Sequence, residues 1–207
     1  DYNQAENQSN AAKIYDVDSL LRVNRGSYSN YIRGFEVDCT GLIIPQIKSL
    51  KDAKQIQEFT KFPPIGKRGV DGGNNDGKYT KLNMVDYITQ ANQERLVIYQ
   101  IETPEVINDV EAIAEMEGVD ALFFGPGDYS LSLGVPGQMD HPDVVSARKK
   151  VAEVARKNNK IAATPGGPGV AKNYIDMGYN LLNIGADVIA LSDYAENLMN
   201  EFEKINS

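Results

Sequence analysis

Short apolar runs recur along the chain, each closed by polar or glycine-containing residues and followed by a helix-like stretch. There are six such runs, at residues 19–24, 41–46, 96–102, 121–128, 161–166 and 181–187. They are rich in Ile, Leu, Val and Phe and do not alternate strictly between apolar and polar residues. Because this composition is typical of strands buried on both faces of a parallel sheet, we predict six such strands.

Residues that favour the start of a helix stand between the predicted strands. They occur at four places: Ser49 with Asp52 three positions later, Thr103 followed by Pro104, Asp140 near Pro142, and Ser192. A further helix-like stretch, residues 5–15, precedes the first strand. This alternation of strands and helices predicts right-handed βαβ crossovers and therefore an α/β fold.

Two α/β architectures compete. The chain has no GxGxxG or GxxxxGK[ST] sequence after an early strand, which argues against a doubly wound nucleotide-binding sheet. In a (β/α)8 TIM barrel, functional residues lie at the carboxyl ends of the strands, where this chain has Gln46, Gln100, Glu102 and Asp128. We therefore predict one barrel domain over residues 1–207. Because a full barrel takes about 250 residues, we expect strands 3 to 8 here, with the first two βα units preceding residue 1.

The amino-acid composition argues against several classes of function. The 207 residues include 21 basic and 29 acidic side chains, a net charge of −8, which argues against nucleic acid or an anionic membrane as partner. Cys39 is the one cysteine, so no disulfide framework is expected, and we predict a buried, inert thiol in a reducing compartment. No apolar run approaches the roughly 18 residues of a membrane span, and we predict a soluble, cytoplasmic protein.

Glu102 and Asp128 are the strongest candidates for chemistry, since each ends an apolar strand and the two strands are consecutive. Carboxylates at the ends of neighbouring parallel strands converge, and two that converge repel unless they share a proton or a cation. Oxygen ligands suit a hard divalent ion such as Mg²⁺ or Mn²⁺. The alternative is that each residue only caps the helix that follows it.

Three further features have both a functional and an ordinary interpretation. The glycine-rich turn at residues 123–128 could present backbone N–H groups to a carboxylate or phosphate, or be a simple tight turn. Arg68, between prolines and glycines, could clamp a substrate carboxylate, or lie solvated on the surface beside Lys67. His141 is the one histidine, and the sequence His-Pro-Asp there is typical of a helix start, so we expect a structural role.

Several strings resemble the HpcH/HpaI family, the metal-dependent class II pyruvate aldolases related to 4-hydroxy-2-oxoheptanedioate aldolase. They are FPPIGKRGV at 62–70, YQIET at 99–103, EGVDALFFGPGDYS at 117–130, and His141-Pro142. The resemblance implies a barrel of the phosphoenolpyruvate/pyruvate type. It also implies that Glu102 and Asp128 hold Mg²⁺, Mn²⁺ or Co²⁺.

The same resemblance implies a reaction, reversible aldol cleavage of a 4-hydroxy-2-oxo acid to pyruvate and an aldehyde through a metal-stabilised enolate. Pyruvate would contact Gln100, Gly127 and Asp128, and the arginine of the GxRG string, Arg68, would contact its keto oxygen. Family members often have alanine where this chain has Gly127. Asp86 resembles the family aspartate that reaches a neighbouring subunit's catalytic histidine.

A homo-oligomer is implied as well, a hexamer or trimer of dimers, with the last helix at about 192–205 exchanged between subunits.

One departure from the family pattern stands out. The family's catalytic base is a histidine in an EHG-like motif at the end of the second strand, and the chain has no such motif. We expect the sequence to be a fragment of a longer product. The alternatives are a truncated, non-catalytic remnant that still binds 2-oxo acids, or another carbon–carbon lyase of the citrate lyase β-like superfamily. A hydrolase or acyl-cleaving enzyme fits the GxRG and QIET strings less well.

Overall fold

The computed structural model describes residues 1–205, which form a curled half-barrel of six parallel strands with helices on its outer face. The last two residues of the predicted domain, 206 and 207, lie outside the described part. The strands are β1 (Leu20–Arg22), β2 (Gly41–Ile44), β3 (Leu96–Ile101), β4 (Ala121–Phe124), β5 (Ile161–Pro165) and β6 (Leu181–Asn183).

The helices among the described residues are α1 (Tyr2–Ile14), α2 (Tyr28–Glu36), α3 (Leu50–Thr60), α4 (Met84–Glu94), α5 (Val110–Ala114), α6 (Pro126–Ser132), α7 (Pro142–Lys157), α8 (Pro168–Asp176) and α9 (Asp187–Ile205). Short 3₁₀ turns lie at Lys78–Thr80 and Val106–Asn108. The predicted loop at 69–78 is irregular except for its last residue.

The spatial order of the strands is their order in the sequence, and every pairing is parallel. A doubly wound sheet would reverse its strand order at a switch point, so that alternative is excluded for these strands. All six predicted strands are confirmed, although each is shorter than its apolar run. Closure into a full eight-stranded barrel stays a prediction.

The strands bury apolar side chains on both faces. Alternate residues of β3 point to opposite sides: Val97, Tyr99 and Ile101 pack under the helices in the main core, whereas Ile98 packs with Phe123 in a smaller cluster on the concave face. Gln100 and Glu102 continue the concave series of Ile98. This alternation brings both polar side chains to the inside of the half-barrel.

The helix starts agree with the sequence where capping is local. Ser49 caps α3, because its Oγ accepts from the Asp52 N–H at 3.3 Å. At α7 the cap is His141, whose Nδ1 accepts from the Asp143 N–H at 3.3 Å, and not the predicted Asp140. The histidine therefore has the structural role that was expected.

Two predicted helix starts are wrong. After Thr103 the chain makes a 3₁₀ turn, and α5 begins only after Asp109, whose carboxylate accepts from the Leu50 N–H at 2.7 Å. The Thr103 hydroxyl is buried without a hydrogen-bond partner among the described residues. Ser192 lies inside α9, which already begins at Asp187.

Helix α9 presents its whole length to solvent. Its exposed apolar side chains are Val188, Ile189, Leu191, Tyr194, Leu198, Met199, Phe202 and Ile205. The exchange of this helix between subunits stays a prediction. Within residues 1–205, no helix combines the length and the apolar character needed to cross a bilayer.

A network of charged side chains, centred on buried Asp38 and Asp76, lies at the amino ends of the strands. Asp76 accepts from Arg68 Nη2 at 2.8 Å and from Arg95 Nε at 2.8 Å. Arg95 directly precedes β3 and also contacts Asp38, which directly precedes Cys39 at the entry to β2. Lys13 and Lys78 pair with the same Asp38 carboxylate. The network ties the glycine-rich loop and α1 to the base of the sheet.

The ion pairs decide the charge state of Asp38. Burial alone would raise the pKa of its carboxyl, but hydrogen bonds from Lys13 and Lys78 and the charge of Arg95 hold the pKa below its ordinary value of 3.8. The nearby Cys39 thiol is buried and free, as predicted, and burial raises its pKa.

We predict that Asp38→Asn destabilises the protein by about 3 kcal/mol at pH 7, because it removes the buried carboxylate and leaves half-buried Arg95 without one of its two partners. The pKa of Asp38 is lower in the folded than in the unfolded protein. Ionised Asp38 therefore stabilises the fold at any pH above its unfolded pKa, and this stabilisation is lost as the pH falls through its folded pKa. The difference between the variant and the wild type should therefore shrink below about pH 4. Urea denaturation at pH 7 and pH 3 measures both effects.

The matched control is Glu58→Gln. It breaks the exposed Lys67–Glu58 pair, in which Lys67 is 73% exposed. It should therefore lower the free energy of unfolding by less than about 1 kcal/mol. Equal losses for the two variants, or a pH-independent loss for Asp38→Asn, would contradict the assignment.

Candidate active site at the carboxyl ends of the strands

Glu102, directly after β3, is the buried centre of the candidate site. Its side chain is fully buried, yet both carboxylate oxygens have partners. The Gln46 backbone N–H donates to Oε1 at 2.5 Å, and the Gln100 amide Nε2 donates to Oε2 at 2.5 Å. Gln46 follows β2 and Gln100 lies on β3, so the carboxyl ends of two neighbouring strands fix this carboxylate.

Asp128 approaches Glu102 from the next strand. Gly125 follows β4 and caps α6, Pro126 occupies the first helical position, and Asp128 lies in the first turn. Burial, and after it the charge of Asp128, raise the pKa of Glu102, whereas the Gln46 N–H and the charge of Arg22 lower it. The net shift of the Glu102 pKa is upward, mainly through burial, and the part that comes from Asp128 reflects how close the two carboxylates lie.

Gly125 and Gly127 differ in whether the structure has room for a side chain. A β-carbon on Gly125 would lie 3.0 Å from Glu102 Oε2 and 3.0 Å from Gln100 Nε2, so a side chain there would press on the carboxylate. A β-carbon on Gly127 would meet no atom within 4 Å. Close packing therefore requires the first glycine, and the second position has room for alanine.

These elements border an open pocket of about 290 Å³ on the concave side. Its lining comes from all six strands and from the start of α6 after β4: Arg22, Ile43, Gln100, Phe123, Gly125, Pro126, Gly127, Asp128, Pro165 and Asn183. Glu102 lies beneath this lining. The predicted site residues Gln100, Glu102, Gly127 and Asp128 are thus brought together.

Similarity to known proteins identifies the family. The sequence profile of the HpcH/HpaI aldolase/citrate lyase family matches residues 2–193. The chain belongs to this family.

Individual relatives span most of the chain. The 2-keto-3-deoxy-L-rhamnonate aldolase of Salmonella paratyphi A is 27% identical over 206 residues, covering 97% of this chain and 75% of that protein. The solved HpcH/HpaI aldolase of Desulfitobacterium hafniense DCB-2 superposes with a TM-score of 0.87 at 26% identity, covering 98% of this chain and 79% of that one. A solved protein of the family from Burkholderia cenocepacia J2315 superposes with a TM-score of 0.89 at 28% identity, covering 98% of this chain and 81% of that one.

Arg22 is the pocket residue that the sequence analysis missed. It is the last residue of β1, it is exposed on the pocket wall, and no hydrogen bond or ion pair engages it among the described residues. A signal was present, because a basic residue ending an apolar strand obeys the same rule that selected Glu102 and Asp128. Arg22 supplies the one positive charge in this lining.

Arg68 lies elsewhere in this family member. Its guanidinium is buried against Asp76 and stacks on Phe62 at 4.5 Å, within the network at the amino ends of the strands. Asp76 joins it to Arg95, which precedes β3, whereas Glu102 follows β3. A strand of six residues separates the two ends by about 20 Å. The structure therefore does not bring Arg68 to the pocket, and its expected contact with a substrate is corrected to a structural ion pair.

Asp86 and Lys67 are also outside the pocket. Asp86 is exposed in the first turn of α4, where its backbone N–H donates to the Asn83 side chain at 3.0 Å. Its predicted role at a subunit interface stays a prediction. Lys67 is exposed and paired with Glu58, as expected for a solvated lysine.

The residues present fit a hard divalent cation. No cluster of three or more His, Cys, Asp or Glu side chains that could hold a metal occurs within residues 1–205. Glu102 and Asp128 form a pair of oxygen donors, and Mg²⁺ commonly takes one or two carboxylates and fills its other positions with substrate oxygens and water. A cation between them would also offset the burial and the charge of Asp128, both of which disfavour the ionised form of Glu102.

We predict that Gly125→Ala weakens Mn²⁺ binding by about tenfold or more, because its methyl group must displace Glu102 or Gln100. Gly127→Ala is the control in the same turn, and it should bind Mn²⁺ as the wild type does. Titration of Mn²⁺ followed by electron paramagnetic resonance measures both affinities. Equal affinities for the two variants would show that Glu102 does not need the space beside Gly125.

Proposed function

We propose that the chain carries the catalytic site of a class II aldolase, a carbon–carbon lyase that cleaves a 4-hydroxy-2-oxo acid reversibly to pyruvate and an aldehyde. The observation that carries the proposal is the approach of Glu102 and Asp128 at the ends of neighbouring strands, beside Arg22. Membership of a family with aldolases among its relatives supports the reaction class.

Each pocket residue has a task in this reaction. Glu102 and Asp128 would hold a divalent cation (Mg²⁺, Mn²⁺ or Co²⁺), which supplies a Lewis acid when it is bound. Arg22 would attract the anionic 2-oxo acid and share the negative charge that develops on its keto oxygen. The first N–H groups of α6 lack intrahelical partners, so Gly127 and Asp128 can donate them to the substrate carboxylate.

Gln100 serves the site indirectly. Its amide donates to Glu102 Oε2 at 2.5 Å and so helps to fix the orientation of the carboxylate. An amide is a suitable partner for this task, because it donates without titrating. Gln100 also lines the pocket, where its carbonyl oxygen can face the substrate.

Proton transfer is the part of the reaction for which the pocket offers no histidine. His141 is the one histidine of the sequence, and it caps α7. This observation favours a second candidate function, in which the pocket binds 2-oxo acids and metal without turning them over. The two functions differ in whether the methyl protons of pyruvate exchange with solvent.

We predict that the protein exchanges the methyl protons of pyruvate for deuterium in the presence of Mg²⁺, and that Glu102→Gln lowers the rate by about 100-fold or more. Glutamine keeps the size of the side chain and removes its charge. Proton NMR in D₂O measures the exchange without any choice of aldehyde. The matched control is Glu105→Gln, three residues further along the chain and outside the pocket lining.

The outcomes separate the candidates. Exchange that needs both Mg²⁺ and Glu102 supports the aldolase. Binding of Mn²⁺ and pyruvate without exchange supports the binding function. If the wild type neither binds Mn²⁺ nor exchanges the protons, both candidates are contradicted.

We predict opposite effects for the two candidate arginines. Arg22→Met should lower proton exchange, or pyruvate affinity, by at least tenfold and leave the melting temperature unchanged, since Arg22 is exposed and unpaired within the described chain. Arg68→Met should destabilise the fold by about 3 kcal/mol and leave exchange per folded molecule intact. Thermal unfolding and NMR exchange on both variants measure this. Loss of exchange in folded Arg68→Met would restore Arg68 to the site.

A further inference from the structure

We propose that Arg25 is a positioning residue for the metal-binding carboxylate, acting on Glu102 through the backbone of Gln46. The proposal rests on the function proposed above and adds a residue that lies outside the pocket. Three links carry it: Arg25 to the Gln46 carbonyl, the Gln46 N–H to Glu102, and Arg25 to Asp52.

Gln46 holds an unfavourable backbone conformation. Its φ is +54°, in the left-handed region that residues with a β-carbon rarely adopt. Gln46 lies two residues after β2, where the chain leaves the sheet towards α3. In this conformation its N–H donates to Glu102 Oε1 at 2.5 Å.

Arg25 opposes relaxation of that backbone. Its Nη1 donates to the Gln46 carbonyl, and its Nη2 donates to Asp52 Oδ1 at 2.5 Å. Asp52 is anchored in turn, since it lies in the first turn of α3 and its Oδ2 accepts from the Lys48 N–H at 3.0 Å. The Asp52 side chain is 13% exposed and that of Arg25 is 26% exposed, so the ion pair is partly shielded from water.

Together these contacts connect Arg25 at the surface to the buried carboxylate of Glu102 through the backbone of Gln46. Without the guanidinium, Gln46 can move to a negative φ, and its N–H then turns away from Glu102. One oxygen of a buried carboxylate would lose its donor, which would free the side chain to rotate. Changes in such supporting residues typically cost 10–100-fold in metal affinity.

The first test is Arg25→Met, which keeps much of the side-chain length and removes the donors. We expect Mn²⁺ affinity, measured by electron paramagnetic resonance, to fall 10–100-fold. Exchange of the Gln46 amide proton, measured by NMR on the metal-free protein, should become at least tenfold faster. Arg25→Lys should restore part of both properties, because an ammonium can still reach one partner.

Two controls isolate the path. Lys54→Met removes a cation from the same surface groove and should change neither quantity. Lys51→Met removes a second cation from that groove and should likewise leave Mn²⁺ affinity and Gln46 amide exchange unchanged. If Arg25→Met does not fold, Asp52→Asn, which loosens the arginine, carries the test.

The outcomes distinguish this proposal from the function on which it rests. Unchanged Mn²⁺ affinity or unchanged Gln46 amide exchange in Arg25→Met overturns the positioning role, even if the wild type is an active aldolase. Failure of the wild type to bind Mn²⁺ contradicts the proposed function, and the amide exchange of the metal-free variants then still decides whether Arg25 holds Gln46.

Discussion

The parallel register of the three central strands is the constraint on which the site depends. Ile44 pairs with Tyr99, and Ile101 pairs with Phe124. Extending these pairings by one residue sets Glu102 opposite Gly125, and Gln46 lies just beyond the end of β2. Since residues at the ends of adjacent parallel strands share one edge of the sheet, a carboxylate, a turn and a strained N–H meet within hydrogen-bond distance. A slip of one residue would turn Glu102 into the core under the helices.

The two ends of the sheet use charge in different ways. At the amino ends, Asp38 and Asp76 are saturated by arginines and lysines, so every buried charge has a partner and the network serves stability. At the carboxyl ends, Glu102 and Asp128 face each other and Arg22 stands unpaired among the described residues. Such a like-charged pair costs stability unless the two carboxylates share a proton or a cation. The carboxyl ends, where like charges meet and Arg22 is unpaired within the described residues, are therefore the end of the sheet suited to binding.

The sequence predicts what depends on local pattern. Apolar runs identify all six strands, because burial on both faces leaves no other composition for them. Ser49 identifies the start of α3, since a capping hydroxyl and the N–H that it accepts from are three residues apart. Thr103 misleads because the start of α5 is decided by Asp109, whose carboxylate binds Leu50 of another helix, a contact that no local pattern encodes.

The candidate site shows the same division. Glu102 and Asp128 are predictable, because carboxylates that end consecutive apolar strands must converge. Residue type alone does not separate Arg68 from Arg22, although the place of Arg22 at the end of an apolar strand was a usable signal. The difference lies in which end of β3 each arginine reaches, and this depends on Asp76, in the long irregular loop at residues 69–78, which draws Arg68 to the amino end. The positive φ of Gln46 is likewise invisible in the sequence, since glycine, and not glutamine, is the residue that signals it.

Binding and turnover are separable in this pocket on physical grounds. Charge stabilisation comes from fixed groups, namely the carboxylate pair, Arg22 and the N–H groups of α6, and these are positioned by strands and a turn within the described residues. Proton transfer needs a further group with a suitable pKa at the substrate, and such a group typically contributes 10²–10⁴-fold in rate. Removing a general base therefore lowers turnover while the electrostatic site stays intact. Under the proposed function, a chain that holds these charged groups would bind 2-oxo acids whether or not a base completes the reaction.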